Sequence, residues 1–121
     1  MKKFLPFLLL IVSEACEVPE PTGLTEYKIR YEVSSAGENA YIEYAGNIGG
    51  IRKMETITNA RLPWQHKMTL NDVHSPGFSL FLYARSNDDS NQNIACTIFI
   101  DDEIAAEAQD TGFATATAEL P

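Results

Sequence analysis

Two histidines, a buried-looking cysteine, two acidic runs and a handful of serines are where this chain would carry chemistry. His66 and His74 are its only histidines, eight positions apart with a turn between them. Zinc gathers His and Cys at short defined spacings, which this pair lacks, so no metal is expected and both read as surface residues. Asn87-Asp88-Asp89-Ser90-Asn91 carries oxygens of the kind calcium takes. It lacks the glycine and terminal glutamate of a calcium loop, and the same residue types favour a polar hairpin loop. Asp101-Asp102-Glu103 sits between two strand patterns and reads as a turn with solvated charges, not as a catalytic carboxylate pair. Ser34, Ser35, Ser75, Ser79, Ser86 and Ser90 fall in no nucleophile motif, and Gly77-Phe78-Ser79 is not a hydrolase elbow. Gly49-Gly50 precedes a strand, not the helix that a phosphate loop needs. Cys96 lies in an apolar stripe, where a thiol holds its proton. The expectation is a protein that is not an enzyme and uses no cofactor.

Two residues remain. Trp64, the lone tryptophan, follows Leu62-Pro63. One reading has it plug an end of the domain, with Pro63 fixing the direction of the chain. The other makes it an aromatic contact for a partner, since tryptophan is enriched at interface hot spots. Cys16 closes an N-terminal segment with the layout of a bacterial export signal: Lys2-Lys3, an apolar run from Phe4 to Val12, and Ala15 before a cut. The run is too short for a bilayer-spanning helix, which needs roughly 20 apolar residues. The segment resembles a lipoprotein signal, which would place acyl chains such as palmitate on Cys16. Ser13-Glu14-Ala15 also fits a small-x-small secretion site cut at the same bond. Either cut makes Cys16 the first mature residue; lipidation is the reading preferred here. With Cys16 acylated, Cys96 has no partner; with Cys16 free, a bridge between the two would be open.

Removing residues 1–15 leaves 106 residues, enough for one domain, with seven basic and 16 acidic side chains and a net charge of −9. Nucleic acid is an unsuitable partner for such a surface, and so is a bed of anionic lipid. Residues 16–25 read as the lipid-attachment cysteine and an extended linker. Glu17 to Thr25 holds Pro19, Pro21 and Gly23, and a stalk of that length would reach about 25 Å.

Residues 26–121 form the domain that must position everything else. Tyr27, Ile29, Tyr31 and Val33 alternate with Lys28, Arg30, Glu32 and Ser34, the period of a half-buried strand. Ala40, Ile42 and Tyr44 continue the pattern, closed by Gly46-Asn47 and Gly49-Gly50. Arg52 to Thr58 is a third strand, and a short one surrounds Lys67 to Leu70. Phe78 to Arg85 is apolar on both faces, as a central strand should be. Ile94, Cys96, Ile98 and Ile100 make a buried stripe with Phe99 on its reverse, followed by Ile104 to Gln109 and Phe113 to Ala118. No stretch has helical periodicity. The fold class expected is all-β, an antiparallel Ig-like β-sandwich of about seven strands.

Tyr31-Glu32-Val33-Ser34, Ala40-Tyr41-Ile42-Glu43-Tyr44, Leu62-Pro63-Trp64 and Ile94-Ala95-Cys96-Thr97-Ile98-Phe99-Ile100-Asp101 occur in an order that resembles the mycobacterial membrane protein small (MmpS) family, over roughly residues 27 to 118. The resemblance implies an Ig-like sandwich displayed outside the cytoplasmic membrane, in the bacterial cell envelope. It also implies an accessory role beside a resistance-nodulation-division (RND) exporter of lipids or siderophores. Family members usually keep an uncleaved membrane helix, and many carry a second cysteine near the C-terminus, where this chain has Thr115, Ala116 and Thr117. The membrane link expected here is the lipid on Cys16. The alternative function is a cell-surface binding module that recognises a glycan, protein or small ligand through loops at one end of the sandwich.

Overall fold

Alternation of apolar and polar residues turns almost the whole domain into strand. The computed structural model describes residues 25–71, 78–88 and 91–121. They form β1 (Glu26–Ser35), β2 (Asn39–Ile48), β3 (Ile51–Arg61), β4 (Trp64–Asn71), β5 (Ser79–Ser86), β6 (Asn93–Ile100), β7 (Glu103–Thr111) and β8 (Phe113–Glu119). Two four-stranded antiparallel sheets result, ordered β4-β1-β6-β7 and β3-β2-β5-β8. They stack as a sandwich. Ile29, Tyr31 and Val33 of β1, Ile42 of β2, Leu80 and Leu82 of β5, and Ile94, Cys96 and Ile98 of β6 fill its centre and are almost wholly buried. This central quartet of strands supplies the large aliphatic groups, and burial of that apolar surface is the main stabilising term.

The two lateral edges of the sandwich differ. Gly112 alone joins β7 in one sheet to β8 in the other. It adopts φ +85°, a left-handed conformation open to glycine without strain, and it donates to the Gln92 carbonyl at 2.8 Å. A one-residue crossing pins β7 against β8, so the sheets meet closely there. Ala106 and Ala108 of β7 face Ala114, Ala116 and Ala118 of β8, side chains small enough for that separation. At the opposite edge β3 and β4 stand apart, and rings from Tyr44 and Trp64 pack against the core. The sandwich is a wedge, thin at alanine and thick at aromatics.

Several expected turns fall elsewhere. Gly46-Asn47 is inside β2, and the reversal is made by Gly49 and Gly50 alone, both at positive φ, as a two-residue hairpin requires. The strand expected around Lys67 to Leu70 begins at Trp64 and pairs with β1 along its whole length. It brings the strand count to eight. The polar segment around Asn87 to Asn91 is not a hairpin loop, because β5 and β6 belong to different sheets. It crosses between layers. Asp88 serves that crossing by accepting bonds from the backbone nitrogens of Glu38 (2.5 Å) and Asn39 (3.1 Å) at the start of β2.

Replacing Ala116→Leu, at 4% exposure on the thin edge, should destabilise the domain by about 1–3 kcal/mol through overpacking. A lowered urea midpoint with unchanged slope would register it; an unchanged midpoint would mean the sheets are free to separate there.

Candidate functional site at the thick edge

The same alternation that builds β4 aims Trp64, His66, Met68 and Leu70 at the interior. Because β3 does not close over them, the first three stay half-buried. Their rings assemble with Tyr44 of β2 and Tyr31 of β1. Tyr44 lies 4.7 Å from His66 and 5.3 Å from Trp64, centroid to centroid, and the imidazole stacks nearly parallel to the indole at 6.2 Å. Tyr31 closes the cluster from beneath, 5.7 Å from Tyr44 and 6.4 Å from His66. Its hydroxyl donates to the Ala45 carbonyl at 2.6 Å in a fully buried setting. His66 is therefore part of an aromatic stack and not the surface residue expected. The clue was available in its phase, two positions from Trp64 and four from Leu70.

Glu55 of β3 pairs with Tyr44 across the sheet and so points to the same side. Room for it comes from Gly46, where an added Cβ would lie 3.1 Å from the Glu55 Cγ. Its Oε2 is shielded from solvent and has no hydrogen-bond partner among the described residues. The carboxylate acts on its neighbours electrostatically. Burial lowers the His66 pKa from its ordinary 6.5, and Glu55 partly opposes that by favouring the cation. Tyr44 is raised, first by burial and then by Glu55. Tyr31 is raised well above the tyrosine range, chiefly by burial.

Other residues singled out from the sequence are scattered. Trp64 opens edge strand β4, its outer flank next to a shallow hollow between Glu32, Ser34, Pro63 and Gln65; the preceding Leu62–Pro63 bond is cis. Cys96 is fully buried under Ala114, whose carbonyl its thiol reaches at 3.5 Å, and burial pushes its pKa up to about 12. Asp101 and Asp102 form the two-residue β6–β7 turn at φ 52° and 67°. They are less idle than solvated turn charges: Asp101 accepts from the Lys28 backbone nitrogen and Asp102 from Arg30, each at 2.9 Å. Arg30 also meets Glu32 at 2.9 Å and lies over the Phe99 ring at 3.9 Å. Cys16, His74, Asp89 and Ser90 lie outside the described residues. Among the described residues no group of three or more His, Cys, Asp or Glu is arranged to hold a metal, and no helix is long and apolar enough to cross a membrane.

The geometry defines a class: an all-β sandwich of two antiparallel sheets with an aromatic cluster at one lateral edge. The chain belongs to the Mycobacterium membrane protein family, whose model matches residues 12–120. It is thereby a protein of the cell envelope. Comparison with the curated proteins finds no match.

Two titrations follow. In the native protein Cys96 should resist alkylation at pH 8 and react only after unfolding. Its folded-state value lies above the ordinary 9.0, so the stability it contributes is complete below about pH 9 and is lost as pH rises toward 12; labelling of the folded protein at pH 8 would contradict the burial. His66 works the other way. Its folded-state value lies below 6.5, so its contribution is complete above that pH and is lost as pH falls through the lowered value. An NMR titration should place His66 below 6.5, and His66→Phe should flatten the fall in stability on the acid side of neutrality.

Proposed function

We propose that this protein is a non-enzymatic accessory component of an RND-type export system, tethered to the envelope membrane through Cys16. The single observation that carries this reading is the family match, which runs through the linker and the entire sandwich. In this reading residues 1–15 are removed as a signal, Cys16 bears the lipid, 16–25 form the stalk and 26–121 the working domain. The described end of the linker is compatible with a stalk: the chain enters β1 at Glu26, at one extremity of the sandwich.

A tethered domain of this kind acts by binding another envelope protein. The edge strand β4 is the surface we assign to that contact, with Trp64 as its aromatic anchor. Half of Trp64 is held by Tyr44 and His66, and its other flank borders the hollow beside Pro63. A ring fixed on one side loses little conformational freedom when a partner covers the other.

Purification of the full-length protein from its own membranes, followed by mass spectrometry, tests both halves. The expected result is an N-terminal peptide beginning at acylated Cys16 and co-purification of an RND exporter subunit, reduced by Trp64→Ala but not by Phe113→Ala. An unmodified Cys16 would remove the lipid tether. Absence of any exporter subunit, together with unchanged export in a strain lacking the protein, would remove the accessory role.

A further inference from the structure

The turn between β2 and β3 carries apolar side chains where a soluble hairpin would carry polar ones. Ile48 is 53% exposed and Ile51 69% exposed, and they face each other across Gly49-Gly50. Among the described residues, a Cβ added at either glycine would meet nothing within 4 Å. Pairing of β2 with β5 stops at Tyr44 and Leu82, whereas pairing with β3 continues to Ile48 and Ile51. From Ala45 onward β2 is therefore paired on one side only, with β3, and its tip lies about level with the end of the β5–β8 ladder at Ser79 and Glu119. Arg52 and Lys53 follow the tip at once. The Arg52 guanidinium braces the hairpin by donating to the Ser79 carbonyl at 2.9 Å.

Strand directions place this tip. β1 starts at Glu26 and runs away from the linker. Three residues return the chain into β2, which runs back and ends at Ile48. The apolar tip and the point where residues 1–25 leave the domain are therefore at the same end of the sandwich. Asn71, the β6–β7 turn and Glu119 at the end of β8 share that end, since β4, β6 and β8 run the same way as β2. Ile104 is also exposed there, at 57%, but it borders Asp101 and Glu103, whose charge repels lipid phosphate. The tip has basic neighbours, Arg52 and Lys53, instead, a local exception to the acidic surface that makes anionic lipid an unsuitable bed for the domain as a whole.

We infer that the Ile48–Ile51 hairpin tip is a lipid-contacting foot, which dips its two isoleucines into the membrane surface to which the chain is tethered. The inference rests on the tethered reading above. Apolar side chains enter the boundary between headgroups and acyl chains, and Arg52 and Lys53 stay at the phosphate level with their stems lying along it. A stalk whose extended reach is about 25 Å keeps the tip within range of the surface at all times, so a contact too weak to bind alone becomes persistent. The acidic β6–β7 turn at the same end is pushed away from anionic headgroups. The sandwich then leans with its β2–β3 corner down, and the opposite end, with the residue 36–38 turn and Phe113, is presented outward.

The test uses the full-length protein recovered from membranes and reconstituted in vesicles of phosphatidylethanolamine and phosphatidylglycerol. An environment-sensitive fluorophore is attached to the variant Ile51→Cys, and for comparison to Phe113→Cys at the far end. Buried Cys96 remains unlabelled. Flotation with the vesicles reads the tether; the fluorophore reads the tip. Flotation with blue-shifted emission from residue 51, quenched by lipids spin-labelled high on the acyl chain, and no change at residue 113, supports the foot. Flotation with unchanged emission at residue 51 overturns it and leaves the tether standing. If the protein does not float, the tether fails, and the same labelling in a Cys16→Ser background, with an excess of vesicles added, still decides the foot by the same shift or its absence. A shift seen in native membranes but absent with pure lipid overturns the lipid assignment in favour of a protein contact.

Discussion

The one-residue crossing at Gly112 is the constraint on which the rest of the sandwich depends. A chain that passes from one sheet to the other in a single step has no slack, so β7 and β8 must lie against each other. Larger residues at Ala106, Ala108, Ala114, Ala116 or Ala118 would force the layers apart and strain the crossing. The volume that alanine gives up on that side has to be supplied elsewhere, and Tyr31, Tyr44, Trp64 and His66 supply it at the far edge. A uniform slab would leave these rings without space or the alanines without contact. The taper satisfies both.

A tapered sandwich also governs its own edges. β3 lies at the thick side with no strand beyond it in its sheet among the described residues, and such an edge invites pairing with another chain. Glu55 occupies a register position on its inner side, opposite Tyr44. Inward-pointing charge on an edge strand discourages further strand addition, because a second chain would have to cover it. The shielded Glu55 oxygen, with no hydrogen bond among the described residues, then fits an edge kept polar at some cost in stability. The thick edge accordingly favours contact through rings and side chains over strand-to-strand association.

How much of this was open to reading from the sequence depended on whether the information was local. Alternation in β1, β2, β5 and β6 identified the strands and the buried stripe of Ile94, Cys96 and Ile98, because side-chain direction has a period of two whatever the partner. The phase of β4 carried His66 to the interior for the same reason, although a lone polar ring reads as a surface residue until its neighbours are known. Sheet membership is different. Asn87 to Asn91 has the composition of a hairpin loop, and the chain there crosses between layers because β5 pairs with β2 and β8 while β6 pairs with β1 and β7. Nothing within five residues encodes that. Glycine was ambiguous in the same way: Gly46 lies inside a strand to admit Glu55 and Tyr44, and Gly49-Gly50 makes the turn.

The direction of the strands gives the fold its functional polarity. With eight strands running alternately up and down, chain entry, the β2–β3 tip, the β6–β7 turn and the C-terminus collect at one end. The short reversals at 36–38 and Gly112 and the crossing after Ser86 collect at the other. Charges distribute unequally between the corners of the first end: Arg52 and Lys53 flank the apolar tip, while Asp101, Asp102 and Glu103 mark the corner beneath β7. A membrane that holds the chain by its N-terminal segment faces this end whichever chemistry makes the attachment, a retained helix or an acyl chain. The asymmetry would turn the corner with β2 and β3 toward the lipid, and β4, with Trp64 at its far end, would then stand along the same side of the domain. Tether, foot and the proposed partner strand would share one flank, leaving the thin alanine edge turned away.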